Sequence, residues 1–292
     1  MSTTVLALVL LSALLHAAWS ASIKSATSPL VFNVMQTAVA VPVCLLGLTF
    51  FDFGNLSETA LAWLAGTALA HALYYYWLSR ALERADLTLA YPIVRSTPAL
   101  LPLLAVPVLG EVPSPLGALG IAVVVAGVWA VYGGGFSRAE LTSPRLRFAW
   151  LTLGTTVAYS LTDKAGMAAL EDVAWQGALP ASLAWFCLLS LCCTPLFLAL
   201  AARHVPLREL RLAVRRDLGR AAVAFAGSLA GYGLILEAYR TAPASYVVAV
   251  RQTSVLFAAV IAIVFLREQP SRGRLLGAAA TVAGVALIGW AG

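Results

Sequence analysis

Apolar stretches of about 20 residues follow one another along the whole chain, and short polar or glycine- and proline-containing turns separate them. A helix needs ~20 mainly apolar residues to cross the hydrocarbon core of a bilayer, so each stretch predicts one membrane-spanning helix. The pattern predicts ten spans, at residues 3–23, 29–51, 59–79, 87–109, 115–132, 148–168, 180–202, 221–239, 245–266 and 273–291. The expected fold is therefore an all-α integral membrane protein with ten transmembrane helices.

Composition supports this fold class. Of the 292 residues, 61% are hydrophobic and 11% are charged, whereas an average soluble domain has ~25% charged residues. The first stretch lacks a basic N-terminal region and contains His16, so it is interpreted as a span and not as a signal peptide. The four cysteines lie within predicted spans without metal-ligand spacing, so free thiols, no metal site and no cofactor are expected.

Positive charge is distributed unevenly between the predicted loops. Loops on one side hold fifteen basic residues, namely Lys24, Arg80, Arg84, Arg138, Arg145, Arg147, Arg203, Arg208, Arg211, Arg215, Arg216, Arg220, Arg267, Arg272 and Arg274. The opposite loops hold Lys164 and Arg240. The positive-inside rule places the basic side in the cytoplasm of a cell inner membrane, with both termini in the periplasm. The net charge of +6 is thereby explained without a nucleic-acid partner.

Residues 203–220 form a long connection with its own pattern. Apolar residues recur at helical spacing, at Leu207, Leu210, Val214 and Leu218, and arginines occupy the other faces. This pattern predicts a short amphipathic helix that lies on the cytoplasmic membrane surface.

The chain contains an internal duplication. Residues 109–128 and 266–285 match without a gap at an offset of 157, and residues 17–26 match residues 157–166. The matches divide the chain into a first repeat at 1–132, a cytoplasmic linker at 133–147 and a second repeat at 148–292. Each repeat has five predicted spans, and because five is odd the second repeat is inverted in the membrane. Inverted repeats are typical of secondary transporters, whose substrate sites lie near the bilayer midplane between the halves.

The repeated stretch indicates mainly structural roles. Gly120 and Gly127, like their repeat mates Gly277 and Gly284, are seven residues apart and share one helix face. Such glycines let another helix approach closely. Glu111 precedes a predicted helix start, where the helix dipole favours negative charge.

The elements L-x-E-x-P-S, LG and AGV occur in this order in both halves, and each time an A-x-x-x-A element precedes them, ALERA at 81–85 and AYRTA at 238–242. This arrangement resembles the EamA-type branch of the drug/metabolite transporter superfamily, and within it the YddG-type exporters of aromatic amino acids. The resemblance implies ten helices in two inverted five-helix repeats and the export of small metabolites. The chain departs from the family at Gln36, where family members carry an arginine early in the second span.

Ionisable residues inside predicted spans are candidates for substrate binding, because they are costly in a bilayer and usually face a cavity. The candidates are His71, Arg95 and Arg251 within spans, and the repeat mates Lys24 and Lys164 at span ends. The alternative for each arginine and lysine is an interfacial or snorkelling position, and the alternative for His71 is a structural histidine whose hydrogen bonds are satisfied. Asp163 and Glu237 are the acidic residues within predicted spans, and because both lie near span ends no proton-coupling carboxylate is expected.

Neutral and aromatic residues complete the predicted substrate site. Its members are Trp19, Asn33, Gln36, Tyr75, Tyr91 and Tyr159. Ring faces and amide oxygens can meet the ammonium group of an amino acid, although interfacial or core packing is the alternative for any single ring. Pro92 and Pro98 predict an irregular fourth span that moves in gating, whereas the ninth span has no proline.

These features predict a secondary transporter that exports amino acids, aromatic or hydrophobic ones favoured, by alternating access. The alternative is an exporter of another small metabolite or drug of the same superfamily. An enzyme is not expected, because HExxH, DDxxD and GxSxG signatures are absent from the sequence. The expected partners are a small-molecule substrate and the lipid bilayer. Because ten helices supply both inverted repeats within one chain, a monomer is expected to be sufficient for transport.

Overall fold

The computed structural model describes residues 1–24, 28–51, 56–85, 87–133, 137–171, 179–266 and 271–291. Within these ranges, side chains are described except at 18–24, 87–88, 171 and 261–266. Trp19 and Lys24, both predicted substrate residues, therefore have side chains outside the described part.

The described residues form helices joined by short connections, without a strand. The helices are α1 (Thr3–Lys24), α2 (Pro29–Leu48), α3 (Glu58–Arg84), α4 (Leu87–Val94), α5 (Thr97–Leu109), α6 (Pro115–Val131), α7 (Arg138–Leu141), α8 (Arg147–Glu171), α9 (Ala181–Ala201), α10 (Leu207–Thr241), α11 (Ala244–Arg251), α12 (Ser254–Leu266) and α13 (Arg272–Ala291). A short 3-10 helix, Pro144–Leu146, precedes α8. The predicted all-α class is confirmed.

Among the described residues, five helical stretches are long and apolar enough to cross a membrane. They are Pro29–Leu48, Leu89–Leu109, Ala181–Ala201, Leu207–Thr241 and Arg272–Ala291. α3 and α8 are also long enough to cross a membrane, at 27 and 25 residues. They carry buried polar side chains such as Thr67, His71 and Asp163, which make them less apolar than these five stretches. The count of ten spans stays a prediction.

The fourth predicted span is interrupted by a turn at Arg95 and Ser96, between α4 and α5. Pro98 lies in the first turn of α5 and has no N–H to donate. The Ser96 hydroxyl donates to the Pro92 carbonyl over 2.7 Å and occupies a backbone acceptor. The break therefore lies between the two prolines that were predicted to shape it, and their part in gating stays a prediction.

The ninth predicted span is interrupted as well, by a turn at Gln252 and Thr253 between α11 and α12. Gln252 Nε2 donates to the Val248 carbonyl over 3.3 Å, and Thr253 Oγ1 donates to the Val250 carbonyl over 2.8 Å. These side chains occupy backbone carbonyl acceptors at the point where the regular helix ends. Proline content did not predict this second break.

The separate surface helix predicted within residues 203–220 is wrong. α10 runs without interruption through 35 residues, Leu207–Thr241, about 52 Å at 1.5 Å per residue. Part of the predicted apolar stripe packs on protein instead of lipid, because Leu210 and Ala213 lie against a cluster formed with Phe32 and Met35 of α2.

Helices of the first repeat pack mainly on helices of the second. α6 packs on α13, α3 on α8, α1 on α10 and α2 on α9. The α6–α13 contact brings the two helix backbones close together, and the structure places all four repeat glycines in it. A Cβ atom added at Gly127 would lie 2.7 Å from the Gly277 carbonyl oxygen, and one at Gly284 would lie 2.7 Å from the Gly120 carbonyl oxygen. The two helix backbones therefore touch where a side chain would separate them.

Candidate functional site

Two adjoining cavities lie between the repeats, and they share His16, Tyr74, Tyr159 and Arg251 in their walls. We call the combined space the central cavity. The predicted substrate residues His71 and Tyr75 line one part of it, and Tyr91 and Arg95 line the other. These residues come from α1, α3, α4, the turn after α4, α8 and α11, so both repeats contribute to the wall.

Arg251 is the cation that the central cavity leaves most available to a ligand. It ends α11, and its guanidinium carbon lies 5.2 Å from the centroid of the Tyr232 ring. Its Nε atom is buried and has no hydrogen-bond partner among the described residues. A buried donor without an acceptor is costly, and an anionic ligand group would satisfy it through charge-assisted hydrogen bonds.

Arg95 is held by protein partners from both repeats. One guanidinium nitrogen donates to Ser254 Oγ over 3.1 Å, and the other lies 3.1 Å from His16 Nε2. Because a guanidinium only donates, His16 Nε2 must accept and the imidazole is assigned as neutral. Arg95 therefore ties the turn after α4 to α1 and α12.

Aromatic rings cover the wall between these cations. The His71 ring stacks on Tyr159 with centroids 4.2 Å apart, and Tyr74 meets Tyr159 edge-on at 5.2 Å. In the other part of the cavity, Tyr91 stacks on Tyr132 at 5.8 Å. Such a wall presents flat apolar faces with a few polar edges, which suits an amphiphilic ligand.

Asp163 lies directly behind this wall and is completely buried. Its carboxylate accepts hydrogen bonds from Thr67 Oγ1 at 2.6 Å, from Trp185 Nε1 at 2.9 Å and from the Tyr232 hydroxyl. The prediction that Asp163 lies near a helix end is wrong, because α8 continues to Glu171. An acidic residue followed by a further apolar helical turn was the signal that could have indicated a deep carboxylate.

Two other predicted substrate residues lie away from the central cavity. The Asn33 amide nitrogen donates to Ser79 Oγ over 2.9 Å within the packed interface of α2 and α3. Gln36 lines a small adjoining cavity together with Tyr75, and its Oε1 atom is buried without a partner among the described residues.

Lys164 lies at one end of the repeat interface instead of in the central cavity. Its ammonium is 3.6 Å from Glu111 Oε1 and also donates to the Tyr239 carbonyl. Glu111 Oε2 accepts the Ala244 N–H over 2.7 Å, at the N-terminus of α11. Burial raises the pKa of Glu111 above its ordinary value, and the Ala244 N–H and Lys164 oppose that rise. Glu111 therefore caps a helix of the opposite repeat and not the helix that follows it.

Tyr246 of α11 makes a second contact with the connection between α5 and α6, which also contains Glu111. Its hydroxyl accepts the Ser114 N–H over 3.0 Å and lies against Gly117 in the first turn of α6. We call the contact formed by Glu111, Lys164, Ser114 and Tyr246 the end clasp, because it joins the α5–α6 connection to α8 and α11.

The sequence profile of the EamA-like transporter family matches this chain twice, over residues 3–133 and 150–290. The chain belongs to the EamA-like transporter family. This EamA-like protein is therefore a multi-pass membrane transporter built from two repeated domains, and the predicted resemblance to the family is confirmed. Its closer resemblance to the YddG-type exporters stays a prediction.

Comparison with solved structures supports the fold of this EamA-like protein. A protein of known crystal structure superposes with a TM-score of 0.68, over 99% of this chain and 98% of its own, at 17% sequence identity. At that identity the likeness extends to the fold alone. No curated protein matches the sequence.

Proposed function

We propose that the protein exports amino acids, aromatic or hydrophobic ones favoured, by alternating access. The observation that carries this proposal is Arg251, whose buried Nε has no acceptor among the described residues and whose side chain lines an aromatic cavity between the repeats. A substrate carboxylate would supply that acceptor in a bidentate geometry. Tyr74, Tyr159 and Tyr232 would then face the apolar part of the same substrate.

The helix arrangement supports alternating access through ten spans. If α4 with α5 and α11 with α12 each form one broken span, the helices group into two sets of five that follow the sequence repeat. In this grouping α8 is the repeat equivalent of α1, and α10 is the repeat equivalent of α3. The contact between α1 and α10 is then related by a two-fold axis to the contact between α8 and α3. Both broken spans turn beside the cavity, where interrupted helices of inverted-repeat transporters bind their substrates.

The end clasp supplies the contact that has to open when the cavity changes sides. Lys164 and Glu111 come from different repeats and are only partly exposed, at 17% and 14% of their side chains. The repeat assigns Lys24 and Glu268 to the corresponding positions at the opposite end. The Lys24 side chain and residue Glu268 lie outside the described part, so this second clasp is a prediction from the repeat.

The clasp also has to form again in every cycle to close this end of the cavity. Removing either of its charges weakens that closed state and is expected to slow transport by about tenfold, since hydrogen bonds to charged groups contribute ~1.5–3 kcal/mol. Glu111→Gln and Lys164→Met should have similar effects, and the double variant should be no slower than either one. Initial rates in proteoliposomes test this double-mutant cycle. Complete loss in Lys164→Met with normal transport in Glu111→Gln would instead assign Lys164 to the substrate carboxylate.

The proposed topology places both termini in the periplasm and the first turns of α10 in the cytoplasm. In a chain without native cysteines, Ser2→Cys should react with a membrane-impermeant maleimide from outside intact cells. Arg215→Cys, at an exposed position of α10, should react only after the cells are opened. Labelling of Arg215→Cys in intact cells would contradict the orientation.

Counterflow in proteoliposomes tests the proposed function itself. Vesicles loaded with one unlabelled amino acid should accumulate the same labelled amino acid from outside, and phenylalanine, tyrosine, tryptophan and leucine form the first panel. Protein-free vesicles give the background. Competition by another metabolite or drug, with no exchange of any amino acid, would favour the alternative exporter.

A further inference from the structure

The hydrogen bonds around His71 determine which ring nitrogen carries a hydrogen. Thr67 Oγ1 donates its single hydrogen to Asp163, so it can only accept from His71 Nδ1, 3.2 Å away. The backbone carbonyl of Thr67, 3.1 Å from the same nitrogen, also only accepts. Both contacts therefore require Nδ1–H, and the assignment follows from the network around it.

The other ring nitrogen of His71, Nε2, faces the Asp163 carboxylate without a hydrogen bond to it. In the neutral ring, Nε2 has a lone pair, and it lies 3.8 Å from Asp163 Oδ2. This distance is too long for a hydrogen bond, and two acceptors that face each other repel. A proton on Nε2 would replace this repulsion by an ion pair. The geometry is that of a proton site with its counter-ion already in place.

His71 is the member of this pair that a ligand can reach. It lines the central cavity, whereas Asp163 is completely buried behind it and is the one fully buried carboxylate among the described residues. The titratable or charged groups around His71 come from six helices and are His16, Tyr74, Tyr75, Tyr159, Asp163, Cys193, Tyr232 and Arg251. Within this group Asp163 favours a proton on His71, and the nearby positive charge of Arg251 opposes it.

The same negative charge can balance the ammonium group of an amino acid electrostatically, across the His71 ring that separates Asp163 from the cavity. With His71 neutral, the buried Asp163 leaves one net negative charge behind the wall. With His71 protonated, that negative charge is cancelled and an ammonium group has nothing to balance it. The proton and the ammonium group therefore exclude one another.

We propose that His71 and Asp163 form the proton site of a proton/amino acid antiporter, in which a proton bound at His71 Nε2 displaces the substrate ammonium. The inference rests on the proposed function. In each cycle one proton enters on Nε2 from the periplasm, one zwitterion leaves, and the proton is released to the cytoplasm. No covalent bond is made or broken apart from the N–H bond.

Proton movement in proteoliposomes tests this inference on the native protein. Vesicles with a trapped pH dye receive an external amino acid from the panel at equal pH on both sides. Antiport predicts that the lumen becomes more alkaline as the amino acid enters, with about one proton per amino acid, since a single ring nitrogen titrates. A lumen made acidic beforehand should accumulate the amino acid above the external concentration.

Two variants test whether His71 and Asp163 form the proton site. The quantity measured is the number of protons moved per amino acid transported, which does not depend on the overall transport rate. Asp163→Asn keeps two acceptor contacts and offers an N–H to neutral His71, and His71→Gln removes the titrating ring. Both should lower the ratio by about tenfold or more, because glutamine does not titrate in this range and asparagine offers a protonated His71 no negative counter-ion. His204→Gln, at an exposed histidine near Tyr76, is the matched control and should keep the native ratio.

The outcomes separate the inference from the proposed function. Counterflow without proton movement in the native protein overturns the inference and leaves amino acid export intact. The native ratio in His71→Gln overturns the assignment, and this variant carries the test alone if Asp163→Asn does not fold. Absence of counterflow for every amino acid of the panel defeats the proposed function itself.

Discussion

Arg251→Gln is expected to reach the membrane at normal yield and to transport an amino acid about 100-fold more slowly, a loss of ~2.7 kcal/mol. Truncating one partner of a buried charge pair costs ~2–5 kcal/mol, and here the lost partner would be the ligand of the substrate carboxylate. Yield should be preserved because the buried Nε has no protein acceptor among the described residues. Initial transport rates, normalised to purified protein, measure the effect.

Two comparisons make the Arg251 experiment specific. Arg240→Gln removes a cation from the same repeat that pairs with Glu237 at 2.8 Å near the end of α10, and it should transport within about twofold of the native rate, since exposed pairs contribute ~0–1 kcal/mol. An amine analogue without the carboxylate should be little affected by Arg251→Gln. Normal transport of the amino acid by Arg251→Gln would place the carboxylate site elsewhere.

Gly284→Ala is expected to destabilise the protein, although alanine is the better helix former. The new Cβ atom would lie 2.7 Å from the Gly120 carbonyl oxygen and 2.8 Å from the Val124 nitrogen, and backbone atoms cannot move aside as a side chain can. Overpacking of this kind costs ~1–3 kcal/mol, and Gly284→Leu or Gly127→Leu should abolish folded protein. Monodisperse yield and thermal unfolding in detergent measure the loss.

Gly289→Ala provides the matched control in the same helix. A Cβ atom at Gly289 meets nothing within 4 Å, so the substitution should be neutral or stabilising by up to ~1 kcal/mol through helix propensity. Opposite signs for the two alanine variants would identify the close α6–α13 contact as the cause. Normal stability with lost transport in Gly284→Ala would instead assign the glycine face to gating.

Much of the architecture was readable from the sequence because its causes are local or repeated. Long apolar stretches predict helices because a bilayer requires them, and constant offsets between matched residues show the duplication without any coordinates. The arginines at 95 and 251 were visible as candidates because each interrupts an apolar stretch. The structure places both in the wall of the central cavity.

Predictions of where a helix begins, ends or breaks were less successful. The arginine-rich start of α10 has the pattern of an interfacial helix, yet no proline or glycine pair separates it from the following span, and the structure shows one helix. The break at Gln252 and Thr253 depends on side-chain hydrogen bonds to nearby carbonyls. Composition does not distinguish such bonds from ordinary helical packing.

Asp163 and Lys164 show most clearly which features the sequence by itself does not determine. It determined that an acidic and a basic residue stand side by side on α8, and ~100° of helix rotation must then separate them. Only the tertiary structure decided that Asp163 turns towards Thr67, Trp185 and Tyr232 behind the cavity wall. It also decided that Lys164 turns outwards to Glu111 at the end of the repeat interface. The physical reason is that a buried charge is stabilised only by partners from distant parts of the chain, and those partners are brought together by packing, not by sequence neighbourhood.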